Sequence, residues 1–120
     1  MSAETLQVLY VGNAMDGQTF KDCVEGQGWY VYLATTRLQA LGMFITYFPQ
    51  IVILNAVVVP SLAEEVYQHI RTVDDTPVII LATTWSGVVD DATLIVQPDT
   101  PLSTLLFLVQ KLVSNFSPVS

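Results

Sequence analysis

Basic side chains are scarce in this chain. Lys21, Arg37, Arg71 and Lys111 stand against eleven Asp and Glu, and the formal net charge is −7. Nucleic acid needs a basic stripe to neutralise its phosphates, and an anionic membrane surface makes the same demand, so neither is expected as a partner. Cys23 is the single cysteine, so no disulfide can close within the chain, and a reducing cytoplasm fits best. Between Phe20 and Val24 on an expected helix, Cys23 reads as a small buried or half-buried apolar residue. Long apolar runs are also missing. Stretches such as Leu105 to Val109 fall far short of the about 20 residues of a membrane span. Met1-Ser2-Ala3-Glu4-Thr5 has no basic region and no apolar stretch, unlike a signal peptide. His69 is the one histidine, and only Glu65 stands at helical spacing from it, so no metal site is expected. No Ser/His/Asp or Cys/His set comes with a supporting motif.

What is present is apolar. Hydrophobic residues make up 52% of the 120 and charged residues 12%, enough for one compact domain over 1–120 with elements buried on more than one side. Leu6 to Val11 and Trp29 to Ala34 read as strands. Met15 to Gln27 reads as a helix punctuated by Gly26 and Gly28. Thr36 suits the N-cap of a helix from Arg37 to Phe48, which Pro49 stops. Ile51 to Asn55 is a third strand. Pro60 or Ser61 opens a helix to about Val73, with Glu64 and Glu65 expected in its first turn. Asp74-Asp75-Thr76-Pro77 is a turn. Val78 to Thr83 and Leu94 to Val96 are strands, with an ambiguous stretch from Val88 to Thr93 before the second. A helix from Pro101 to Phe116 and a frayed tail, Ser117-Pro118-Val119-Ser120, close the chain. Strands alternating with helices imply right-handed βαβ units and a parallel sheet covered on both faces.

Pro49-Gln50-Ile51-Val52-Ile53-Leu54-Asn55 is the most informative segment. Four consecutive apolar residues, three of them β-branched, suit a strand buried on both faces. Asn55 then occupies the strand's carboxyl end, where open α/β sheets place their working residues.

In order and spacing these segments resemble the receiver domain of two-component response regulators. The resemblance rests on Val8-Leu9-Tyr10-Val11, Ala40-Leu41 with Phe44, Pro49 to Asn55, Pro60, Ile70-Arg71, Pro77-Val78-Ile79-Ile80-Leu81 and Val96-Gln97-Pro98. It implies a three-layer, flavodoxin-like (CheY-like) α/β fold with a five-stranded parallel sheet in the order 2-1-3-4-5. It also implies a role in phosphorelay signalling. The chemistry of a working receiver is absent, however. The acid pair that holds Mg²⁺ aligns with Gly12-Asn13, the phosphoacceptor aspartate with Asn55, and the hydroxyl position with Ala82, one residue before Thr83. The lysine aligns with Gln97. Mg²⁺ wants carboxylate oxygens. A lysine left without its acids would be a charge missing its partner, at a cost of roughly 3–5 kcal/mol if buried. The joint loss of charge marks a pseudo-receiver, with Asn13, Asn55 and Gln97 as one neutral hydrogen-bonding replacement. The loop from Asn55 to Pro60 is one residue longer than usual, which leaves Ala56 as the other candidate for the acceptor position.

The stretch from Thr83 to Thr93 is too short and turn-rich for the helix that receivers insert there, so that helix is expected to be shortened or absent. Leu94 replaces the aromatic residue that reports phosphorylation in many receivers. On the last helix, Leu102, Leu105, Val109, Leu112 and Phe116 form a core stripe that Leu106 and Val113 widen. Phe107 falls outside it beside Lys111 and Ser114, and Leu108 lies at its edge. With Trp85 and Leu94 these residues compose a candidate interface. Similarity to the pseudo-receivers of circadian-clock and signalling proteins implies a partner such as a kinase, an effector, a clock-type component or a second copy. No catalysis and no cofactor are expected. A competing reading is a nucleotide- or flavin-binding flavodoxin-like domain, using Gly12 to Thr19 as a phosphate loop. A neutral small ligand at Asn13, Asn55 and Gln97 is a further alternative.

Overall fold

Among the described residues five strands and four α-helices follow one another, alternating except where the fourth strand leads to the fifth without a helix. The computed structural model describes residues 6–57, 60–85, 87 and 89–116, the last without its side chain. The readings for Met1 to Thr5, Val88 and Ser117 to Ser120, and for the side chain of Phe116, lie outside the described residues. The elements are β1 (Gln7–Val11), α1 (Ala14–Val24) with a 3₁₀ turn (Glu25–Gln27), β2 (Tyr30–Ala34), α2 (Arg37–Tyr47), β3 (Ile51–Asn55), α3 (Pro60–Val73), β4 (Val78–Leu81), β5 (Thr93–Val96) and α4 (Leu102–Phe116). All strand pairs are parallel, in the order β2-β1-β3-β4-β5. This is the expected topology. Among the described residues no helix is long and apolar enough to cross a membrane.

Local chemistry sets the boundaries. The Asn13 side chain caps α1 by accepting the Asp16 N–H, and Thr36 Oγ1 caps α2 by accepting the Gln39 N–H. After Val24 the first helix tightens into the 3₁₀ turn and ends on Gly28 at φ 82°, so its α-helical part is shorter than expected. The second ends on Phe48 at φ 50°, followed directly by Pro49. In the third helix Glu64 and Glu65 lie past the first turn, a correction to the expected placement. The exposed Glu65 instead lies 3.9 Å from Arg37, a surface pairing of little energetic weight.

β3 is buried at all five positions, as its unbroken apolar run demands. On one side of the sheet Ala40 and Phe44 of α2 and Val66 and Ile70 of α3 pack on Leu9, Leu54 and Ile80. On the other side Phe20 and Val24 of α1 and Leu105, Val109 and Leu112 of α4 pack on Val8, Ile53 and Ile79.

Between β4 and β5 no helix forms among the described residues. Trp85 and Val89 pack over the α2/α3 side there, and Trp85 meets Tyr67 edge to face at 5.9 Å. Arg71 holds this crossing in place. Its Nε lies 2.7 Å from Asp90 Oδ2, Nη1 donates to the Thr76 carbonyl at 2.7 Å, and Nη2 donates to Thr93 Oγ1 at 2.9 Å. Tyr67 OH shares a hydrogen bond with the same Thr93 hydroxyl. A polar clamp thus does the bridging that a packed helix would do. The cover is incomplete: Ile95, on the same side of β5, stays exposed.

Candidate functional site

The carboxyl ends of β1, β3 and β4 converge on Asn55. It is the last residue of β3, in register with Leu81. Ala56 turns into the core on the α2/α3 side of the sheet. The Asn55 side chain is buried and fully engaged. Its Oδ1 accepts the Val57 N–H at 3.1 Å, and its Nδ2 donates to Tyr10 Oη at 3.0 Å and to Asp16 Oδ2 at 3.4 Å. Asn13 extends the chain through Asp16. Its Nδ2 donates to the same Asp16 oxygen at 2.9 Å while its Oδ1 accepts the Asp16 N–H at 2.7 Å. The result is an unbranched hydrogen-bonded chain from Asn13 through Asp16 and Asn55 to Tyr10.

Gly12 lies under this chain. A Cβ placed there would stand 2.8 Å from Asn55 Cβ and 3.2 Å from Tyr10 Cε1. Neighbouring side chains therefore leave no room for a larger residue at Gly12. Burial pushes the Tyr10 phenol above its ordinary pKa, and the Asp16 charge adds to that rise while the Asn55 hydrogen bond opposes it. Tyr10 is a neutral phenol at physiological pH.

Two residues of this hydrogen-bonded chain are not expected from the sequence. Asp16 supplies a carboxylate, so the site is not wholly neutral. The signal for it is the Asn13-x-x-Asp16 spacing of a capping pair. Tyr10 is readable as a strand residue, but nothing local shows that its hydroxyl reaches Asn55. Gln97 is corrected in the other direction. It is exposed, its carbonyl accepts the Thr100 N–H and hydroxyl, and its side chain bonds neither Asn13 nor Asn55. The single network expected for Asn13, Asn55 and Gln97 therefore contains only the first two. Ala82 is buried, with its N–H on the Val96 carbonyl, and Thr83 is exposed. The supposed phosphate loop from Gly12 to Thr19 is already helical from Ala14, so it offers no loop to wrap a phosphate.

Cys23 is exposed, not buried. It lies one position off the stripe made by Phe20 and Val24 and faces a gap between α1 and α4. The interface residues divide. Leu94, Leu108 and Lys111 line a depression of about 340 Å³ together with Asp91 and Leu112. Phe107 beside it is 60% exposed, with Lys111 Nζ 5.9 Å from the ring centroid. Trp85 belongs to the opposite side of the sheet, packed on Tyr67, and drops out of that surface.

No protein-family model matches the chain, and no curated protein matches it. Solved structures do. The chemotaxis response regulator CheY4 of Vibrio cholerae superposes with a TM-score of 0.76 at 18% identity, covering 91% of this chain and 99% of that one. The signal receiver domain of a LuxO repressor protein from Vibrio parahaemolyticus gives 0.73 at 21% identity, covering 93% and 92%. A two-component response regulator from Clostridium difficile gives 0.76 at 16% identity, covering 96% and 100%. At these identities the likeness shows the fold: the chain has the receiver fold along nearly its whole described length.

Proposed function

We propose that this chain is a receiver-type signalling module that carries no phosphoryl group, catalyses nothing, needs no cofactor and transmits by protein contact. The observation that carries this reading is the closure of the strand end by Asn13, Asp16, Asn55 and Tyr10. Phosphoryl transfer to a receiver needs an acceptor carboxylate, several oxygens for Mg²⁺ and a cation for the arriving charge. Here the acceptor position is an amide and Gly12 has no room for an acid. The one carboxylate, Asp16, already accepts from two amides. Gln97 supplies no charge where the resemblance expects a lysine.

What remains for signalling is surface. Phe107 stands exposed against Lys111, which also borders the depression lined by Leu94 and Leu108. Burying a side chain of that size is worth about 1.5–3 kcal/mol, so this surface favours a partner over water. The partner is a kinase, an effector, a clock-type component or a second copy of the chain, met in the cytoplasm.

Two measurements test the reading. Incubation of the wild-type chain with Mg²⁺ and acetyl phosphate leaves the intact mass unchanged, whereas a stoichiometric acyl phosphate overturns it. If the partner is a second copy, a concentration-dependent rise in size is seen by light scattering and collapses in Phe107→Glu. If it is another protein, affinity capture with wild-type and Phe107→Glu bait recovers it on the wild type alone. Identical captures on both baits and an unchanged monomer count against the surface.

A further inference from the structure

The gap between α1 and α4 opens into a pocket of about 350 Å³ that reaches Tyr10, Asp16 and Asn55 at the strand end. That volume is within the range of small-molecule sites, about 300–1,000 Å³. Phe20, Leu102 and Leu105 form apolar walls, and Tyr10, Asp16 and Asn55 line its polar end. We propose that this pocket binds a small amphiphile. Its body is an aromatic ring, and its head joins a protonated amine to a neighbouring hydrogen-bond acceptor, as in an aryl-ethanolamine. The proposal goes beyond contact signalling and does not depend on it.

Each part of the ligand follows from a group at the pocket. Asp16 Oδ2 is satisfied by two amides, but among the described residues no Lys, Arg or His pairs with this carboxylate. None of the lining residues is basic. In a chain of net charge −7 such a site attracts a cation and repels phosphates and carboxylates. The Tyr10 hydroxyl accepts from Asn55, and among the described residues no acceptor takes its own proton. A buried O–H of this kind gains from an acceptor atom brought by a ligand. Asn55 Nδ2 is 3.0 Å from Tyr10 Oη and 3.4 Å from Asp16 Oδ2, so the two needs fall at the same end of the pocket. The ammonium and the hydroxyl oxygen of the ligand must therefore be neighbours, with the ring lying toward Phe20 and Leu105. The walls on α4 come from the same helix that presents Phe107 and Lys111, so occupancy has a direct mechanical route to that surface.

The probe is 2-amino-1-phenylethanol. Its counter-probe is mandelate, which keeps ring and hydroxyl but exchanges the ammonium for a carboxylate. Cys23 also lines the pocket and is a built-in reporter as the only thiol. Expected on titration with the amine are saturable NMR shifts at the amides of Phe20, Cys23 and Leu105, and a severalfold slowing of Cys23 alkylation by iodoacetamide. Mandelate produces neither. Asp16→Asn weakens the amine on the order of tenfold, about the loss of one charge-assisted contact. Cys23→Trp, at an exposed position, fills the pocket and abolishes the shifts while the rest of the spectrum is kept. Absence of saturable shifts up to millimolar amine, equal binding of mandelate, or binding untouched by both variants overturns the proposal.

Discussion

Gly12 and Asn55 compete for one volume: a methyl group on the glycine would come within 2.8 Å of Asn55 Cβ. That contact ties the glycine after β1 to the amide that ends β3. Gly12→Ala is expected to destabilise by about 1–3 kcal/mol, the usual cost of overpacking. In a double-mutant cycle read by urea unfolding, Asn55→Gly removes the clashing atom, so the two changes together cost less than their sum. Strict additivity would mean that the two positions do not share space.

The Arg71 clamp is expected to bear much of the crossing between β4 and β5. Arg71 is mostly buried and touches Asp90, Thr76 and Thr93 at once. Arg71→Ala should cost more than the about 1 kcal/mol of an exposed pair and less than the about 3–5 of a fully buried one. The variant should also gain protease cleavage between residues 82 and 92. Arg71→Lys should recover little, because one ammonium cannot span the three contacts.

The same clamp sets an acid dependence. Burial alone would raise the Asp90 pKa. The Thr93 hydroxyl, the Arg71 guanidinium and the Ala92 N–H outweigh it and hold the carboxyl below its ordinary value of 3.8. A folded-state pKa below the unfolded one contributes stability that is complete above that ordinary value. It is lost as pH falls through the folded value. Asp90→Asn should flatten the acid limb of stability against pH and leave the neutral region with the same slope.

Tyr10 gives the alkaline counterpart. Its raised pKa means that the neutral phenol stabilises the fold fully below pH 10 and that this is lost as pH rises above it. Removing the Asp16 charge with Asp16→Asn should lower the Tyr10 midpoint, and Asn55→Leu should raise it. Ring-proton NMR titration of Tyr10 distinguishes the two directions.

Phe48 caps α2 at φ 50° with its side chain 74% exposed. A non-glycine residue in this region costs about 1–2 kcal/mol. Phe48→Gly should therefore raise stability by about 0.5–1 kcal/mol in thermal unfolding, after the extra entropy of the unfolded glycine is counted.

Much of the scaffold is legible in the sequence because it is written in runs and caps. Ile51 to Asn55 and Pro60 to Val73 have the expected bounds, and Thr36 caps as expected. That no helix forms before β5 among the described residues follows from too few residues between Thr83 and Thr93. The site is legible only in part. Periodicity tells which side of its own axis a residue occupies, not which neighbour lies across from it. Cys23 reads as buried or half-buried beside Phe20 and Val24, yet α4 leaves a gap over that edge of α1. The sequence lets Trp85 either cover the sheet edge or meet a partner, and the short crossing folds it onto Tyr67 on the α2/α3 side. Tyr10 and Asp16 meet Asn55 across 45 and 39 residues of chain, a relation that no local pattern carries.

The central claim is that the strand end is closed to phosphoryl chemistry as a whole and not by one substitution. Asn55→Asp restores the acceptor and nothing else. With Mg²⁺ and beryllofluoride, its ¹⁹F spectrum should show only free fluoride species, and acetyl phosphate should add no mass. A bound beryllofluoride resonance at one equivalent per chain, or a stoichiometric acyl phosphate on the introduced aspartate, would contradict the account.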